Sequence, residues 1–250
     1  LYYIIHYNYK IIIFEINFNM IPLEVRVLIF DKYITETATA SDNFILPLKK
    51  NRFIKTDRYY WTSANPEKTK TTNFQGLYRA IKLRFAPKKK NNVFELGLQL
   101  DKKIAIAAAR QIPIDSTHLV ISQNLLPFIY ETGVLGGRTF DVLMTRLPFE
   151  KLHERLDFAF NIHSESPTLK DFRADKELIE TENKALTKAR KIITPHSEIA
   201  EIFKSGNKSD DVENLKSKST DLKAKSKDLS DAVTGAVFGA LSHTPKNTNL

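Results

Sequence analysis

The chain has 250 residues, 38 Lys and Arg against 29 Asp and Glu, a formal net charge of +9, and no cysteine. The missing thiols exclude disulfides, thiolate metal sites and a cysteine nucleophile. A 42% hydrophobic share with 10% aromatics excludes a wholly disordered chain, and no run of about 18 uncharged apolar residues offers a bilayer-spanning helix.

Residues 1–19 (LYYIIHYNYKIIIFEINFN) precede the first methionine, Met20, and consist mostly of residue types with AT-rich codons. Two readings stay open. The segment is an upstream extension of a reading frame whose product starts at Met20, or a pair of strands built from aromatic and β-branched residues. A secretory signal fits poorly, because Asn8, Lys10, Glu15 and Asn17 interrupt the apolar run and no small-residue cleavage site follows.

Residues 20–165 read as a β-rich domain. Phe94, Leu96, Leu98 and Leu100 alternate with Val93, Glu95, Gly97 and Gln99. Leu77, Ile81, Leu83 and Phe85 alternate with Tyr78, Ala80, Lys82 and Arg84, and Leu156, Phe158, Phe160 and Ile162 repeat the pattern. Alternation with period 2 marks half-buried strands. Shorter strand candidates are 23–30, 43–48, 51–61, 104–109, 118–122 and 138–146. Turn signals such as Asn65-Pro66, Pro87, Asn91-Asn92, Pro113 and Gly136-Gly137 separate several of them. The expected fold is therefore mainly β: an antiparallel sandwich or barrel of about 8–10 short strands. One short helix is expected near 147–155, opened by Pro148. No helical stretch is evident between consecutive strands, which argues against a parallel α/β fold.

The texture changes near Ser166-Pro167, an N-cap followed by proline at the first helical position. Leu169, Phe172, Leu178, Ile179, Leu186, Ala189 and Ile193 predict a helix over 167–192. Thr194-Pro195 opens a second short helix to about Phe203, which completes a helical region over 166–204. Residues 205–250 are poor in large apolar side chains and read as a flexible tail. Leu215, Leu222 and Leu229 are seven apart, but Ser219 and Ser226 weaken any coiled coil.

The charge is lopsided. Residues 41–92 hold thirteen Lys and Arg against Asp42, Asp57 and Glu67, a net +10, so the rest of the chain sums to −1. Aromatic side chains interleave with these cations. Ammonium and guanidinium groups that hold phosphates, beside rings on which bases stack, are the ingredients of single-strand binding. The candidate nucleic-acid-binding residues are Lys49, Lys50, Arg52, Lys55, Arg58, Tyr60, Trp61, Tyr78, Arg79, Lys82, Arg84, Lys88, Lys89 and Lys90. Lys82 and Arg84 are expected to share a strand face with Tyr78, while Phe53, Phe74 and Phe85 are expected in the core.

No phosphate-cradling glycine motif, zinc-finger spacing or HExxH occurs. The cluster Gly133–Arg138 reads as a hairpin turn. His153, Asp157 and His163, or Asp115, Ser116 and His118, give no convincing catalytic geometry, and Glu180 and Glu182 read as solvated. The expectation is a non-enzymatic, sequence-tolerant nucleic-acid-binding protein without a cofactor, acting on single-stranded DNA or RNA. AT-rich composition suggests a viral or mobile-element gene, of movement or single-strand-binding type, acting inside the cell or in a virion. Self-association is expected to accompany binding. The alternative is a structural assembly subunit such as a viral coat or capsid protein. Contact with an anionic membrane surface is a third reading of the same charge.

Overall fold

The computed structural model describes residues 10–13, 30, 32–48, 68–86, 90–166, 169, 173–205 and 212–214. The segment around β1 (Lys10–Ile13) starts a sheet continued by β2 (Asn43–Leu46), β3 (Thr69–Thr71), β4 (His118–Ser122), β5 (Thr139–Leu143), β6 (Lys191–Thr194) and β7 (Val212–Asn214). The helices are α1 (residues 32–37), α2 (Asn73–Arg84), α3 (Lys90–Ala109), α4 (Leu126–Glu131), α5 (Phe149–Ile162), α6 (Lys176–Lys188) and α7 (Ser197–Ser205).

Among the described residues the seven strands form one sheet in the order β3-β2-β1-β4-β5-β6-β7, and every pairing is parallel. Ile12 sits at the centre, opposite Phe44 on one side and Val120 on the other. The chain builds outward from β1 to β3, returns across α2 and α3, and builds outward again from β4 to β7. Such a doubly wound sheet is covered by helices on both faces.

The antiparallel sandwich or barrel expected from the sequence is therefore wrong, and so is the argument against a parallel α/β fold. The physical reason is burial. A parallel sheet covered on both faces reads as short continuous apolar runs rather than alternation. His118–Ser122 (HLVIS) is buried from its second residue onward, and Asn43–Leu46 and Lys191–Thr194 show the same pattern. Three of the alternating stretches are helices instead: 77–85 lies in or just past α2, 93–100 in α3 and 156–162 in α5. In α3 the deeply buried positions are Leu100, Ile104, Ala105 and Ala108, spaced as one helical face. Residues 104–109 likewise continue α3. The short apolar runs at 43–48, 118–122 and 138–146 do hold strands. The stretch 51–61 and all of 23–30 but its last residue lie outside the described residues.

Helix ends follow local chemistry. Pro148 caps α5, which runs to Ile162, past the short helix its start signal suggested. The helix expected over 167–192 shortens to α6, because Asp175 supplies the cap: its carboxylate accepts from the Leu178 amide at 2.7 Å. Lys191–Ile193 then leave the helix to join the sheet as part of β6. The glycine-rich turn links α4 to β5 and is not a hairpin. Gly133 and Gly137 there adopt φ of 75° and 73°, which glycine takes without a Cβ clash.

Two cores follow from the two covered faces. Ile45, Leu119, Ile121, Phe140, Val142 and Ile192 pack with α3, α4, α6 and Phe149. On the other face Phe44, Leu46, Val120, Leu143 and Ile193 pack with Phe30, Tyr33 and Ile34 at α1.

Candidate anion-docking surface

The α2 sequence NFQGLYRAIKLR contains no acidic residue. Its rotation about its own axis is fixed from the inside. Gly76 packs against the end of β2 so closely that a Cβ there would overlap the Pro47 carbonyl. Arg79 points inward, 4% exposed, and its Nε donates to Asp101 Oδ1 of α3 at 2.6 Å. With Gly76 and Arg79 inside, the opposite stripe faces out: Phe74, Leu77, Tyr78 and Ile81, continued past the helix end by Phe85. These positions are separated by three, one, three and four residues, one side of a helix. Phe74 and Phe85 are 79% and 78% exposed, so the expectation that both belong to the core is wrong. Helical geometry turned them outward, and Phe53 lies outside the described residues.

Cations border the stripe. Lys82 Nζ stands 5.5 Å from the Tyr78 ring centroid, and Lys103 Nζ of α3 stands 5.2 Å from the same ring. Phe74 and Tyr78 lie nearly parallel, 6.5 Å between centroids and 10° between planes. Between α2 and α3 runs a groove of about 280 Å³, lined by Phe74, Gln75, Tyr78, Lys103, Ile106, Ala107 and Arg110. Lys82, Arg84, Lys103 and Arg110 are all exposed, and none of them pairs with a carboxylate among the described residues. Asp101, the acid on the adjoining face of α3, is committed to Arg79.

The expected site residues divide accordingly. Tyr78 and Lys82 share this surface, four residues apart on one helical face rather than on a strand. Arg84 is exposed on α2 but stands about 120° around the helix from Tyr78, so the shared strand face of Lys82, Arg84 and Tyr78 does not exist. Arg79 is a buried structural cation. Lys90 opens α3. Lys49, Lys50, Arg52, Lys55, Arg58, Tyr60, Trp61, Lys88 and Lys89 lie outside the described residues. Phe74, expected in the core, joins the surface together with Lys103 and Arg110, which are not among the expected site residues. The seven-residue spacing from Tyr78 to Phe85 is the helical signal, because a strand would put the two on opposite faces.

Two polar clusters elsewhere are structural ties. At the amino ends of β4 and β5, His118 Nδ1 lies 2.8 Å from Thr139 Oγ1 and its Nε2 3.2 Å from Asp141 Oδ2. Arg190, just before β6, donates to both Asp141 oxygens at 2.8 and 2.6 Å. Burial alone pushes the Asp141 carboxyl up, but the Arg190 and His118 hydrogen bonds and charges outweigh it and hold the carboxyl below its ordinary value. His118 thus turns to Asp141 and Thr139 rather than to its neighbours Asp115 and Ser116.

The carboxyl ends of β4 and β5 meet a second cluster. Glu182 is fully buried, which corrects its reading as a solvated residue. It accepts from Arg146 Nη2 at 2.8 Å, from Gln123 Nε2 at 3.3 Å and from the Phe149 amide at 2.6 Å. Doubly wound sheets bind ligands at carboxyl ends where the strand order reverses, here between β1 and β4. On the β4 side Gln123 spends its side chain on this internal network, and the residues that follow β1 lie outside the described ones. The trio His153, Asp157 and His163 does not converge: His153 Nε2 accepts from the Ala174 amide at 3.1 Å, and Asp157 pairs with Arg173 at 2.7 Å.

Among the described residues no three His, Asp or Glu side chains gather as a metal site, and no helix is long and apolar enough to cross a membrane. No protein-family model matches the chain, and no curated protein matches it.

Proposed function

We propose that this protein docks on an anionic membrane surface, with α2 lying in the plane of the headgroups. The observation that carries the proposal is the outward apolar stripe of α2 flanked by four cations with no carboxylate partner among the described residues. A helix with such a face buries it at the headgroup–acyl boundary while its cations attract acidic headgroups. Each cation near an anionic leaflet contributes about 1 kcal/mol, so Lys82, Arg84, Lys103 and Arg110 together supply about 4 kcal/mol. Burying Phe74 and Phe85, now mostly in water, adds about 1.5–3 kcal/mol for each ring fully withdrawn. Leu77 and Ile81 favour lipid over nucleic acid, because aliphatic side chains offer a base nothing to stack on.

A second reading, sequence-tolerant binding of single-stranded nucleic acid, rests on the parallel Phe74–Tyr78 pair with Lys82 and Lys103 beside it. Rings and cations in that arrangement stack bases and hold phosphates.

One set of measurements separates the readings. Sedimentation with vesicles containing phosphatidylserine is expected to carry the protein down at low salt. Phosphatidylcholine vesicles are expected to leave it in solution, and added salt to weaken binding. Retention of a labelled oligonucleotide without vesicle binding would replace the membrane reading with the nucleic-acid one. A particle in size exclusion that Ile81→Glu dissociates, again without vesicle binding, would instead make the stripe an interface between copies.

A further inference from the structure

The groove between α2 and α3 has a chemistry of its own. Its walls are the Phe74 and Tyr78 rings, Ile106 and Ala107. Its volume of about 280 Å³ falls just below the roughly 300–1,000 Å³ of pockets that enclose a drug-sized molecule, so it seats part of a ligand and leaves the rest outside. At the Tyr78 end Lys103 lines the groove, its ammonium 5.2 Å from the ring centroid, and Lys82 stands outside the lining, 5.5 Å from the same centroid. No carboxylate neutralises either among the described residues. Arg110, about 10 Å of helix beyond Lys103, lines the far end and offers its methylene stem to an apolar ligand.

We infer that this groove seats one anionic phospholipid drawn from the membrane. Its phosphate is held between Lys82 and Lys103, and one acyl chain lies along Tyr78, Ile106, Ala107 and Phe74. This rests on the membrane-docking reading and adds a saturable, headgroup-selective site to a surface otherwise held by area and diffuse charge. A bare phosphate would leave the apolar walls wet, and an uncharged lipid would leave the two ammonium groups beside the Tyr78 ring without a counter-charge. An acidic amphiphile satisfies both requirements.

The test uses the full chain and two short-chain lipids below their micelle concentrations, dihexanoyl phosphatidic acid and dihexanoyl phosphatidylcholine, in titration calorimetry. Saturable binding of the phosphatidic acid is expected, with at least about tenfold weaker binding of the phosphatidylcholine, a factor worth 1.4 kcal/mol. Ala107→Leu adds bulk on the α3 side of the groove and leaves every α2 residue unchanged. It is expected to weaken monomer binding about tenfold while vesicle sedimentation persists. Lys103→Gln, at an exposed position, is expected to remove the preference for phosphatidic acid, and thermal melts of both variants check folding. Vesicle binding without saturable lipid binding, or with lipid binding indifferent to Ala107→Leu, overturns the groove and leaves docking intact. Adenosine monophosphate binding more tightly than phosphatidic acid also overturns it, because a base would then occupy the Tyr78 ring. Failure of all vesicle binding removes the docking reading, and the groove falls with it.

Discussion

Replacing Asp101 with alanine leaves the Arg79 guanidinium charged at a position where its side chain is 5% exposed. The pair it breaks is close, 2.6 Å from Nε to Oδ1, and the carboxylate side chain is 1% exposed. Deleting one partner of a buried pair removes the charge that best offsets the other and costs about 3–5 kcal/mol. A chain of this length holds only about 5–15 kcal/mol of total stability, so the loss takes a large share. The hydrophobic double replacement Arg79→Met with Asp101→Leu removes both charges at similar volume and is expected to recover most of that stability. Urea unfolding followed by circular dichroism reads both numbers. The reasoning is refuted if Asp101→Ala costs less than about 1 kcal/mol, or if the double variant is no more stable than the single one. The same experiment bears on function. Arg79 is among the expected nucleic-acid contacts, yet its side chain is buried and pairs with Asp101 of α3, so the folded double variant is expected to bind vesicles as the parent does.

Three further outcomes follow from named contacts. Gly76→Ala, although alanine is the better helix former, is expected to cost about 1–3 kcal/mol in urea unfolding, because its Cβ meets the Pro47 backbone; unchanged stability would show that α2 does not lie there. Asp141 has a carboxyl held below its ordinary value, so it contributes stability that is complete above the unfolded-state pKa and is lost as pH falls through the lower folded-state pKa. Arg190→Gln removes the strongest single hydrogen bond that lowers it, and the acid-unfolding midpoint is expected to move to higher pH; an unmoved midpoint refutes the assignment. Ile81→Glu places a carboxylate in the middle of the exposed stripe and is expected to abolish sedimentation with phosphatidylserine vesicles while changing stability by no more than about 0.5 kcal/mol. Undiminished sedimentation would exclude α2 as the docking element.

The candidate surface was half legible in the sequence. The excess of cations over 41–92 and the presence of rings among them were there to read, and Tyr78 and Lys82 lie on the segment that folds as α2. Their arrangement was not. Tyr78 and Lys82 are separated by four residues, and that separation puts them on one face whether the segment is strand or helix, so the mistaken secondary structure left this pair side by side. Arg84 and Phe85 separate the two geometries: period 2 keeps Arg84 with Tyr78 and sends Phe85 to the other face, whereas a helix does the reverse. Lys103 on α3 and Arg110 just past its end reach the groove only because α3 packs against α2.

The sequence by itself determined that the chain folds, that its positive charge is concentrated in one fifth of its length, and where several strands and helix starts fall. Local chemistry suffices for those: composition, short apolar runs, and proline at a helix start act over a few residues. Only the tertiary structure decided that the strands run parallel. An apolar run of four or five residues carries no direction, and Phe94–Leu100 alternates like a strand until packing against the sheet selects the helical pair Phe94 and Leu98. It alone also turned the apolar side of α2 outward, because the inward side was claimed by a buried ion pair with Asp101 and by a glycine against Pro47, both distant in sequence.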